Sequence, residues 1–136
     1  MDGRAFLGVA RDLATGPSEA HWRAAAGRAY YALLLEGLAS LRRWGFLPPP
    51  RENVHTFVRL RFTYATDVDL RAIGVVIDDL VRLRNLADYQ LAAHVRFASS
   101  IAAIRAITDA RDAIAMLDRI EADPQRRAAA IASIRP

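Results

Sequence analysis

Cysteine is absent from this chain of 136 residues, which excludes disulfides and thiolate metal sites and suits a reducing compartment. Lysine is absent as well: all 19 of the Lys and Arg positions are arginine. With the abundance of alanine, this matches the coding bias of a GC-rich genome, so the number of arginines carries no function by itself. No apolar run approaches the ~18 residues of a membrane span. The N-terminus lacks a basic start followed by a sustained apolar segment, so no signal peptide and no membrane association are expected, and the expected location is the cytoplasm. Strand-like alternation is missing, and with it go strand-borne phosphate loops and nucleophile elbows. The three histidines, His21, His55 and His94, are isolated along the chain. None pairs with another at the spacing of metal ligands, so neither a metal nor a cofactor is expected and each reads as a surface or partly buried residue.

What is present reads as helix almost throughout. The length suits one domain with a real core. A short helix around Gly3 to Ala14 stops at Thr15-Gly16-Pro17. A second, opened by Ser18 and Glu19, runs to about Trp44 and is apolar nearly all round between Tyr30 and Leu35, which marks the central helix. Gly45 and the run Pro48-Pro49-Pro50 end it. A third helix carries Val54, Phe57, Val58, Leu60 and Phe62. A fourth is capped at Thr66-Asp67 and ends near Tyr89. After a connection over 90–97, a fifth helix from about Ser99 to Glu121 is expected to bury Ile104, Ile107, Ala110, Ile114 and Leu117. Asp123-Pro124 opens a last one. The fold expected is all-α, an up-and-down bundle of five to six helices, with residues 1–122 as the helical domain and 123–136 as a C-terminal helical extension.

The fourth helix carries the most informative pattern. Leu70, Ile73, Ile77 and Leu80 follow one another at spacings of three and four, the rhythm of a buried stripe. The same rhythm continues onto Arg84 and Asp88, while Arg71, Asp78 and Arg82 occupy the opposite face. A buried unpaired charge costs several kcal/mol, and arginine cannot escape by losing its proton. Arg84 therefore needs Asp88, a groove or a second subunit. A purely local Arg84–Asp88 bridge would be worth only about 0.3–0.5 kcal/mol, and in this order, at the C-terminal end of a helix, it is poorly oriented. A tertiary or functional role is the better reading. On the second helix, Arg28 and Tyr31 form another charged and hydroxylated pair, placed to offer a hydrogen-bond partner to Asp88 or Tyr89. Tyr30 reads as core.

The block Arg28-Ala29-Tyr30-Tyr31-Ala32, the histidine of Val54-His55 and the block Arg84-Asn85-Leu86-Ala87-Asp88-Tyr89 together resemble a HEPN domain. The likeness is to the small bacterial single-domain branch with an Arg-x-x-x-Asp-Tyr signature, and it spans roughly Ala5 to Ile120. The resemblance implies a helical bundle that forms a homodimer, often paired with a minimal nucleotidyltransferase in toxin–antitoxin or defence modules. Many such domains are metal-independent ribonucleases whose arginine is followed four to six residues later by histidine. Here that window holds Asp88 and Tyr89, and His94 lies too far along.

Metal-free RNA cleavage needs a base for the 2′-hydroxyl and a cation for the phosphate. Aspartate ordinarily titrates near ~3.9 and tyrosine near ~10, so neither residue type is a good base at neutral pH. The expectation is a non-catalytic or weakly catalytic protein that binds RNA or nucleotide, with Arg84, Asn85, Asp88, Tyr89, Arg28 and Tyr31 lining or bracing the cleft. The alternative is an active endoribonuclease toxin in which Arg84 holds phosphate and His94, Tyr89 or the other subunit supplies the base. A third reading makes Tyr89 the acceptor of a nucleotidyl group from the partner enzyme.

Overall fold

In the computed structural model, which describes residues 2–136, the chain is all-helical, with no strand among those residues. The helices are α1 (Ala5–Ala14), α2 (Glu19–Arg43), α3 (Val54–Thr63), α4 (Val68–Tyr89), α5 (Ile101–Ala122) and α6 (Pro124–Ser133), with a 3-10 turn at Val95–Phe97. The central helix is α2, which packs against α1, α3, α4 and α5. Its side chains from Ala25 to Leu41 are buried on several faces, including Tyr30, Leu33, Leu34 and Leu41. Each large apolar side chain taken fully out of water contributes roughly 1.5–3 kcal/mol, so a helix clad on most sides anchors the bundle.

Helix ends are settled by local chemistry. Gly45 sits at φ 93°, a left-handed conformation that favours glycine. The Phe46 amide donates to the Leu41 carbonyl at 2.9 Å and the Gly45 amide to that of Arg42 at 3.1 Å, closing the last turn of α2. Asn53 caps α3 by accepting from the amides of His55 and Thr56. Asp67 caps α4 by accepting from those of Asp69 and Leu70, and Asp123 caps α6 with Pro124 in its first turn. Ser18 precedes α2 as expected, but its hydroxyl pairs with His21 Nδ1 at 2.6 Å instead of capping the helix.

In α5 one expected core residue is misplaced. Ile104 is 51 % exposed, and the buried seam runs through Ala103, Ala106, Ile107, Ala110, Ala113, Ile114, Leu117 and Ile120. Four alanines on that seam let α5 lie close to its neighbours, and at ~100° per residue Ile104 turns away from it. The segment 123–136 folds back onto the bundle. Arg126 reaches Asp67 at 2.7 Å and Asp69 at 2.8 Å, and Ala130 and Ile134 join the core. No helix among the described residues is long and apolar enough to cross a membrane.

The crossing of α3 over α4 positions the site. Gly74 on α4 lies so near α3 that a Cβ there would stand 2.9 Å from the Thr63 nitrogen and 3.0 Å from the Phe62 carbonyl carbon. Glycine is required because backbone meets backbone.

Candidate functional site

The stripe on α4 is buried at Leu70, Ile73, Ile77, Leu80, Leu83 and Ala87. Arg84 ends it with its side chain 18 % exposed. Its Nε lies 3.0 Å from Asp88 Oδ2. The Nε–H does not point at that oxygen, however, and remains buried without a hydrogen-bond partner. Nη2 donates to the Tyr31 hydroxyl across to α2 at 3.1 Å, and Nη1 makes a long contact of 3.4 Å with Asn85 Oδ1. The guanidinium carbon lies 5.6 Å from the Tyr31 ring centre and 5.5 Å from that of Tyr89. Arg84 thus carries both a local ion pair and a tertiary bond, set between two aromatic rings.

The remaining expected residues divide. Asp88 is exposed beside Arg84, Tyr89 is 70 % exposed at the helix end, and Asn85 is exposed. Arg28 stacks over Tyr31 at 4.9 Å and over Phe6 at 5.6 Å. The bond expected from Arg28 or Tyr31 to Asp88 or Tyr89 is not formed: the Tyr31 hydroxyl faces Arg84, the stronger partner for its lone pairs. His94 is engaged elsewhere, its Nδ1 accepting from the Arg96 amide at the start of the 3-10 turn. Among the described residues no three histidine, aspartate or glutamate side chains gather as metal ligands would.

Sequence reasoning named Tyr30 and His55 but missed the contact between them. Tyr30 is buried as expected, yet its hydroxyl bonds His55 Nδ1 at 2.7 Å, and the two rings stack with centres 5.7 Å apart. His55 also meets Tyr31 edge-on at 6.0 Å. Burial first, and then the positive charge of Arg84, hold the imidazole below its ordinary pKa of 6.5. The position of His55 in the first turn of α3, at the positive end of the helix dipole, acts in the same sense. Burial pushes the Tyr30 phenol up to about 12. The sequence signal for His55 was its place at the opening of the third helix, Val54-His55, but nothing in the linear pattern tied it to Tyr30 on another helix.

Arg23 was omitted altogether. It is buried and donates to four backbone carbonyls at the end of α4: Leu86 at 3.1 Å, Ala87 at 3.0 Å, Gln90 at 2.6 Å and Ala92 at 3.0 Å. Its Nε bonds Glu19 at 2.9 Å, and its guanidinium lies over Phe97. Helix α4 has no basic residue in its last turn, so Arg23 supplies from α2 both the positive charge and the donors that this end lacks. The Arg84-to-Tyr89 block is thereby held in place by a residue outside it.

The structure is thus a six-helix bundle with a half-buried arginine, tyrosine and histidine cluster where α2, α3 and α4 meet. Compared with protein-family models, curated proteins and solved structures, the chain matches none.

Proposed function

We propose that this protein is a HEPN-like homodimer of the cytoplasm that binds RNA or nucleotide at the Arg84 cleft. In this reading it is the non-catalytic or weakly catalytic component of a toxin–antitoxin or defence module, paired with a nucleotidyltransferase. The observation that carries it is the state of Arg84: a guanidinium kept at the surface end of a buried stripe, paired with Asp88 yet left with a spare buried N–H. Such a group recognises an oxyanion. The carboxylate of Asp88 beside it opposes phosphate in the resting state and makes the site one that a ligand must open. Exposed apolar side chains at the same end, Tyr89, Leu91 and Val95, support an interface with a second copy there.

The test is direct. Purified protein incubated with RNA at neutral pH is expected to leave it intact while light scattering gives the mass of a dimer. RNA degradation that disappears in Arg84→Ala overturns this reading in favour of the ribonuclease. One observation favours that second reading: His55, kept neutral near Arg84, is an imidazole of the type that general-base catalysis uses. It predicts growth arrest on expression, relieved by Arg84→Ala.

A further inference from the structure

The contact between Tyr30 and His55 determines which of these two things the imidazole can do. Tyr30 is 1 % exposed, and His55 Nδ1 is the one hydrogen-bond partner of its hydroxyl among the described residues. A buried hydroxyl proton without an acceptor is costly, so the phenol donates to Nδ1. Nδ1 accepts only when the imidazole hydrogen sits on Nε2. The phenol stays protonated because burial raises its pKa, and the imidazole stays neutral because burial and Arg84 lower its own. At neutral pH the free nitrogen of His55 is therefore a donor.

The neighbouring groups are donors as well. Arg84 has its Nε–H unbonded. The Tyr31 hydroxyl accepts from Arg84 Nη2, which leaves its own proton to give. Arg28, stacked on the Tyr31 ring, adds positive charge to the same side chain. The acceptors beside Arg84 are the Asn85 amide oxygen, at the limit of contact, and the Asp88 carboxylate. The Asp88 side chain is exposed and forms no other ion pair or hydrogen bond among the described residues, so it is free to swing outward.

We propose that Arg84, the Tyr31 hydroxyl and the Nε2–H of His55, locked in that tautomer by Tyr30, form a donor set for a phosphate oxyanion that displaces Asp88 from Arg84. This rests on the binding reading given above and names its chemistry. Tyr30 is a positioning residue, and His55 is a hydrogen-bond donor that leaves the 2′-hydroxyl of RNA alone.

Nitrogen NMR of the histidine side chains in the full-length protein reads the tautomer, with His55→Gln assigning the signals. The expected result is hydrogen on Nε2 of His55 in the wild type and a mixture of tautomers in Tyr30→Phe. Titration with AMP, oligoadenylate and adenosine reads the site. AMP binding with no response to adenosine assigns it to a phosphate monoester, oligoadenylate binding without AMP to a phosphodiester. Asp88→Asn is expected to tighten binding about tenfold and Arg84→Ala to weaken it at least tenfold, the scale of one charge-assisted hydrogen bond. His55→Gln is expected to weaken it severalfold.

Hydrogen on Nδ1 of His55, unchanged affinity in Asp88→Asn, or His55-dependent cleavage of oligoadenylate each overturns the donor set. Binding that persists alongside any of these leaves the binding reading standing. Absence of AMP and oligoadenylate binding in both wild type and Asp88→Asn removes that reading and the donor set with it.

Discussion

Arg23 of α2 and Arg84 of α4 both sit on the buried stripe of a helix, and their surroundings differ in kind. Arg23 spends its donors on four carbonyls and a glutamate, and its guanidinium is covered by Phe97. Arg84 bonds a phenol, holds a carboxylate at an angle that leaves its Nε–H unused, and keeps an open side. A buried arginine whose donors are all placed serves the fold. One left with a spare donor at the surface end of a stripe is kept for something else.

Removing each arginine should separate the two roles. Arg23→Ala strands the carbonyls of Ala87, Gln90 and Ala92, while that of Leu86 keeps the Gln90 amide as its donor, and those that water cannot reach bear the cost. A loss of about 3 kcal/mol in urea unfolding is expected. Arg23→Lys should recover part of it, since an ammonium has three donors and cannot fan across four carbonyls. If Arg23→Ala unfolds like the wild type, the tether at the end of α4 is not structural and the contrast with Arg84 collapses.

The crossing that brings α3 and its histidine over α4 comes next in size. Gly74→Ala forces a methyl group against the backbone of Phe62 and Thr63, which cannot yield as a side chain would. The expected cost is about 2 kcal/mol, the scale of an overpacked core. Because α3 must move, the Tyr30–His55 bond should lengthen, visible as a change in the His55 nitrogen signals. A stable variant with unchanged signals would show that α3 and α4 separate locally without carrying His55 along.

The two stripes also show where a single sequence stops being legible. Counting threes and fours from Leu70 reached Arg84 and identified the ion pair with Asp88. The same count run backwards along α2, from Leu41 through Leu38, Leu34, Tyr30 and Gly27, arrives at Arg23, so that residue was open to the same reasoning. His55 was not. Its partner lies 25 positions away on another helix, and the burial that lowers its pKa comes with its packing against Tyr30 and Tyr31 of α2. Helix periodicity tells which residues face inward, but not which neighbour they meet there. Ile104 makes the same point in reverse, since only the close seam of alanines on α5 decides that an isoleucine is left outside.

Arg84→Ala should barely change stability, by about 1 kcal/mol or less, because a half-exposed ion pair and one neutral acceptor return little net energy. Equal losses from Arg84→Ala and Arg23→Ala would erase the distinction between the two residues.

The smallest effect is a slope with pH, and it reports whether Arg84 acts on His55 at all. The pKa of His55 lies below 6.5 in the folded protein and near 6.5 in the unfolded chain. As pH falls through about 6.5 the unfolded chain takes up the proton first, so the folded state loses stability until its own lower pKa is passed. Above that window His55 contributes no pH dependence. His55→Gln removes the titration, whereas the carboxyl groups of Glu36, Asp67 and Asp118, raised in the first case and lowered in the other two, are common to both proteins. Wild type minus variant should therefore be flat near about pH 8 and fall towards about pH 5. Adding Arg84→Ala to each removes the second cause of the shift and keeps the first, burial, so the fall should shrink without vanishing. An unchanged fall would mean that the guanidinium and the imidazole do not share a site, and a difference flat throughout would mean that His55 is not held neutral by the fold.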